Sequence, residues 1–226
     1  MLPEDAVFRR KRFIPERMLS FGFTQTDDGY HLEREFLNGD FEALLTISKE
    51  GDLTGVVIDK MNGEDYRPLR LDRFQGAYVN TVRAAYEELL RDVAASCCRE
   101  MLFASDQANR LADRIRAAYG VLPDYPWAAS GDDDSGVFRH PDSAKWVALL
   151  MDLSYDTLQK DGDDRPVDVL NLKATPDDIP RLTARPGIYP AYHMNRKHWI
   201  SVALDDRLTD DEVMALVEDS FCLTRT

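Results

Sequence analysis

The sequence predicts an α+β protein: antiparallel sheets with helices packed on one side. Strand-like runs come in groups, three in the first half and four in the second, with helix-period stretches beside them. No βαβ unit recurs, so nothing asks for a parallel sheet. At 44% hydrophobic and 31% charged, the 226 residues carry enough apolar material for one large or two modest cores.

In chain order, Phe13, Met18 and Leu19 suit a short amphipathic helix ending near Gly22. The run Arg9-Arg10-Lys11-Arg12 beside it reads as a solvated flank rather than a nucleic-acid arm. Residues 30–37, 41–48 and 53–58 form a meander, with Asn38-Gly39-Asp40 as a tight turn. Asn62-Gly63 marks another turn. Phe74, Tyr78, Val82, Tyr86, Leu89 and Val93 recur at helical spacing. A second helix spans 106–119, and Gly120 stops it.

Residues 122–127 form a loop. Residues 130–136, with Asp132, Asp133 and Asp134, read as a solvated polar turn, because no cation-ligand spacing follows. Strands follow at 137–140, 145–154 and 166–173. Residues 146–151 are apolar on both faces, which suits a central strand. Thr175 caps a short helix with Pro176 at its first position, and Pro180 cuts it short. A strand at 198–204 precedes the capping box Thr209-Asp-Asp-Glu212, which opens a last helix facing inward through Val213, Leu216 and Val217.

The formal net charge of -13 repels phosphate backbones at long range, so nucleic-acid binding needs a locally basic patch. No apolar run approaches the ~20 residues of a membrane span. The start, Met1-Leu-Pro-Glu-Asp, places acids where a secretory leader needs a basic and then apolar stretch, so a soluble, cytoplasmic protein is expected. Cys97, Cys98 and Cys222 form no Cys-x-x-Cys pair and read as buried thiols in a reducing compartment.

Phosphate-loop, dinucleotide, nucleophile-elbow and His-Glu-x-x-His signatures are all missing, and no cofactor is expected. His193 and His198 stand five apart, so they share a face of neither a strand nor a helix, and no metal is expected. The richest stretch is 188–200, Ile-Tyr-Pro-Ala-Tyr-His-Met-Asn-Arg-Lys-His-Trp-Ile. If the strands holding Lys173 and Trp199 are neighbours, Lys173, Arg196 and Lys197 join Tyr189, Tyr192, His193 and Trp199 in a basic, aromatic surface. Such a surface suits a phosphate, a nucleobase or an acidic peptide. The other reading makes Trp199 and Tyr192 core anchors while the cations face water. The candidate binding residues are Lys173, Tyr192, His193, Asn195, Lys197 and Trp199, and no residue is singled out as catalytic.

Asn171-Leu-Lys173, Pro176, the 188–200 stretch, Leu204-Asp205 and Asp219-Ser220-Phe221 together resemble the MmcQ/YjbR family over 107–223, with Phe221 where the family's closing motif has tyrosine. The first half resembles the amino-terminal extension of longer members, at 39–42, Tyr66 and 75–79. The resemblance implies a double-wing or CyaY-like domain at 94–226 behind an α+β extension at 1–93. It carries a DNA-binding label by fold analogy and no catalytic residues. The expected function is that of a non-enzymatic binding protein with nucleic acid as partner. One alternative is an adaptor taking a protein or small anionic ligand through 188–200; another is an enzyme using His193.

Overall fold

The structure, a computed structural model describing residues 2–71, 73–127 and 135–225, divides into two units, Met1–Leu102 and Phe103–Thr226. The first contains α1 (Pro3–Phe8), β1 (Lys11–Phe13), α2 (Pro15–Phe21), β2 (Thr24–Thr26), β3 (Gly29–Phe36), β4 (Phe41–Ser48), β5 (Leu53–Asp59), β6 (Glu64–Asp65), α3 (Ala77–Cys97) and β7 (Cys98–Glu100). Strands β2 to β6 form one antiparallel sheet in chain order, with the expected meander at its centre. Alternation along β4 turns Phe41, Ala43, Leu45 and Ile47 inward, where they share a core with Val82, Tyr86, Leu90 and Val93 of α3. Phe74 and Tyr78, expected on that stripe, are 40% and 62% exposed: Phe74 precedes the helix and Tyr78 lies on its first turn.

The basic run at 9–12 is not a solvated flank. Its four side chains are half-buried, and Lys11 and Arg12 lie in β1, which pairs antiparallel with β7 at the far end of α3. That pairing keeps residues 98–100 with the first unit.

A buried ion pair ties α1 down. The Glu4 carboxylate accepts from Arg70 Nη1 at 2.9 Å, from Arg70 Nη2 at 2.7 Å and from the Tyr86 hydroxyl at 2.6 Å. Arg70 Nη2 also donates to the Gly55 carbonyl at 2.6 Å. Gly55 leaves room for this junction, because a Cβ there would meet Tyr86 Oη at 2.0 Å and Glu4 Oε1 at 2.7 Å.

The second unit contains α4 (Asp106–Tyr119), β8 (Gly136–Arg139), β9 (Trp146–Ser154), α5 (Tyr155–Gln159), β10 (Pro166–Lys173), α6 (Ile179–Thr183), β11 (Ile188–Pro190), β12 (Trp199–Ala203) and α7 (Asp210–Thr224). Its sheet is antiparallel in the order β11-β12-β10-β9-β8. Ala148, Leu150, Leu170, Leu172, Ile200 and Val202 share a core with Leu111 and Ile115 of α4 and Val213 and Val217 of α7. Helices α4 and α7 therefore cover one face, as expected, while the short α5 packs through Tyr155 and Leu158 against Val167, Val169 and Ala203 on the other. Gly120 closes α4 at φ 68, and Thr209 with Glu212 completes the capping box of α7.

Three local readings change. Pro180 sits in the first turn of α6 instead of ending a helix begun at Thr175. The short elements α5 and β11 were not expected. Cys222 is exposed, whereas Cys97 and Cys98 are buried. Residues 130–134 of the aspartate turn lie outside the described residues. Among the described residues no helix is long and apolar enough to cross a membrane.

The Glu4 junction has a pH signature. Burial pushes its carboxyl up, but the hydrogen bonds from Arg70 and Tyr86 outweigh that and hold it below the ordinary 4.5. The depressed value stabilises the fold above the unfolded-state value, and that stability is lost as pH falls through the folded one. The urea midpoint of the whole chain should drop on acidification below the ordinary value, and Glu4→Gln should flatten that limb. At neutral pH Glu4→Gln should cost about 3 kcal/mol, from the unpaired Arg70 left behind. An unchanged acid limb in the variant would show that Glu4 is not its source.

Candidate functional site

Strands β10 and β12 are neighbours, and their register sets Lys173 opposite Trp199 and Asn171 opposite Ser201. The Lys173 ammonium lies 5.9 Å from the centre of the Trp199 ring, a cation–π distance. Trp199 is 7% exposed and Lys173 is half-buried. By strand alternation these four residues point away from the core shared with α4 and α7.

On that face an amide and a hydroxyl are fully buried. Ser201 Oγ donates to Asn171 Oδ1 at 2.5 Å. Asn171 Nδ2 donates to the Tyr192 carbonyl at 3.0 Å, and the Tyr192 N–H donates back to Ser201 Oγ at 2.9 Å. The loop after β11 is thereby fastened to the sheet through its own backbone. The Tyr192 side chain, half-buried with Met194, packs with Trp127 and Trp146 over Val137, Leu149 and Met151.

Beyond this anchor the chain turns outward. His193 takes φ 55, and its ring meets the Tyr192 ring edge-on at 4.2 Å. Asn195 shapes the turn: its Oδ1 accepts from Lys197 N at 3.0 Å, and its carbonyl accepts from His198 N at 2.9 Å. Arg196 Nε donates to the Ala191 carbonyl at 3.3 Å. His193, Asn195, Arg196, Lys197 and His198 are all exposed.

The structure thus brings Lys173 to Trp199 and Tyr192 to His193. Trp199 and Tyr192 serve as anchors, while His193 and Lys197 face solvent. Among the described residues no group of three or more His, Cys, Asp or Glu side chains is placed to hold a metal ion. Asn171 and Ser201 were not among the candidates. The available signal was one carboxamide in the run Val169-Leu-Asn-Leu172, where a polar side chain needs a specific partner.

The closing signature is also a fastening. Ser220 Oγ donates to the Val147 carbonyl at 2.5 Å and accepts from the Lys173 N–H at 2.9 Å. Phe221 stacks on Tyr119 at 4.1 Å, and its ring lies 4.2 Å from that of His140.

Comparison with known proteins covers mainly this unit. The YjbR family model matches residues 116–223. The protein YyaQ of Bacillus subtilis is 38% identical over 111 residues, which span 49% of this chain and 92% of that protein. The protein YbdF of Escherichia coli O157:H7 is 38% identical over 60 residues, spanning 26% of this chain and 49% of that protein. A crystal structure of a Pseudomonas syringae protein is 46% identical, covering 51% of this chain and 97% of that one, with a TM-score of 0.48. The chain belongs to the YjbR family.

If the buried clamp holds the loop, Asn171→Ala should lower stability by about 2–3 kcal/mol, because it strands the Tyr192 carbonyl and the Ser201 hydroxyl. It should also speed hydrogen exchange at the Tyr192 amide. Lys197→Ala, at an exposed position, should stay within ~0.5 kcal/mol of the parent. An Asn171→Ala protein with a fully protected Tyr192 amide would mean that the loop is held by something else.

Proposed function

We propose that the second unit is a non-enzymatic binding module that presents its 193–198 loop to an anionic partner, with nucleic acid the first partner to test. The observation that carries this reading is the loop itself: Arg196 and Lys197 flanked by His193 and His198, all exposed, with no acid among them. Lys173, at the end of the neighbouring strand β10 and over Trp199, adds a further cation. Fastening through Asn171 and Ser201 pre-organises the loop, which lowers the entropy lost on binding. Tyr192 and Asn195 act here as anchor and shaper of the loop, not as ligand contacts.

Against a chain charge of -13, such a patch gives weak, steeply salt-dependent binding. An acidic protein segment is the second reading, because three cations match a short run of carboxylates as well as a few phosphates. An enzymatic role for His193 gains nothing from its surroundings, since its exposed ring rests edge-on against Tyr192. The reading includes a cytoplasmic setting, supported by the free, buried thiols of Cys97 and Cys98.

The test is a fluorescence-anisotropy titration of the whole chain with labelled duplex DNA and with an acidic peptide, at several salt concentrations. Engagement of Lys173, Arg196 and Lys197 should give a log–log salt slope of about -2 to -3 on duplex DNA. Arg196→Glu with Lys197→Glu should weaken binding by about tenfold or more. Absence of DNA binding at the lowest salt would remove nucleic acid as the partner, and absence of both would remove the reading.

A further inference from the structure

The first unit holds a cleft of about 400 Å³ between α1, α3 and the β1–β7 ribbon, a volume within the range of small-molecule sites. It exists because the facing helix positions are small. Ala6 and Val7 of α1 look across it at Ala94 and Ala95 of α3, where larger side chains would have closed the gap. Two ion pairs border this apolar floor. Lys11 Nζ lies 2.7 Å from Glu100 Oε1 on the ribbon, and Arg91 Nη2 lies 2.8 Å from Glu87 Oε2 on α3. The lining therefore carries two cations and two anions, balanced within a chain of net charge -13.

We infer that this cleft binds a small zwitterion with an apolar side chain, that is, a free apolar α-amino acid. A net anion or cation would gain one partner of each ion pair and face repulsion from the other. A zwitterion satisfies both, with its carboxylate on Lys11 or Arg91 and its ammonium on Glu100 or Glu87. Its side chain lies on the alanine floor, which offers apolar contact and no hydrogen-bonding side chain. One partner of each ion pair stands largely in water (Glu100 86% and Arg91 62% exposed), so each pair can open by swinging that side chain away at small cost. This inference is independent of the loop in the second unit.

The experiment is calorimetric titration of the full chain with L-leucine, alongside N-acetyl-leucine, which keeps only the carboxylate, and leucinamide, which keeps only the ammonium. Leucine should bind, and each singly charged analogue should bind about tenfold or more weakly, the worth of one charge-assisted contact. Ala95→Leu, on the exposed wall of the cleft, should abolish binding, with far-UV circular dichroism confirming the fold. Lys11→Gln supplies an independent variant that leaves the helix packing alone and should weaken leucine about tenfold. The inference is overturned if leucine gives no saturable heat, if N-acetyl-leucine binds as tightly as leucine, or if both variants bind leucine like the parent.

Discussion

A carboxamide and a hydroxyl buried side by side in the middle of an apolar sheet constrain everything on the outer face of the second unit. Asn171 and Ser201 are fully buried on neighbouring strands, with Val169 and Leu149 around them. Left unpaired, each would cost about 1–3 kcal/mol. They pair with each other and then with both backbone groups of Tyr192. The loop therefore satisfies the core as much as the core supports the loop. Displacing it would expose the sheet's polar centre and lift the Tyr192 ring from Leu149 and Met151. An irregular segment gains the positional precision of a strand in this way.

The first unit uses the same device on a different segment. The six-residue helix α1 is too short to be stable on its own. Its Glu4 carboxylate is buried against Arg70 and the Tyr86 hydroxyl, and the missing side chain of Gly55 makes the room. Strands, turns and the long helix α3 converge there, as strands, loop and α7 converge on Asn171 and Ser220. In both units a few satisfied polar contacts locate what apolar packing leaves free to slide.

What was legible in the sequence was local. Gly120, the Thr209 capping box, the Asn38-Gly39 turn and the alternation of Phe41–Ser48 are each written in a few adjacent residues, and each has its structural counterpart. What escaped depends on distant partners. Lys11 and Arg12 form a strand only because residues 98–100 arrive beside them. Ile188–Pro190 is a strand only because β12 offers an edge. Pro180 supports two opposite readings, a stop or a start, and the turn from Thr175 to Asp178 decides it. The juxtaposition of Lys173 and Trp199 was foreseeable as a condition and required the register to be met. The partnership of Asn171 with Tyr192 had no such statement, because a loop's path over a sheet has no period to read.

Electrostatics gives the loop its distinctness. Elsewhere in the second unit several arginines are met by acids: Arg110 by Asp206 and Asp210, Arg114 by Asp211, Arg185 by Glu212, Arg207 by Asp205. Exposed pairs of this kind add little stability, about 0–1 kcal/mol each. Their larger effect is to cancel positive potential where they stand. Arg196, by contrast, donates to a backbone carbonyl, and Lys173 lies over an aromatic ring. Neither arrangement removes a charge. The acidic helix ends are therefore neutralised or negative, whereas among the described residues no acid is paired with Arg196 or Lys197. With a Debye length near 8 Å at physiological salt, exposed charges farther than that from the loop are largely screened there.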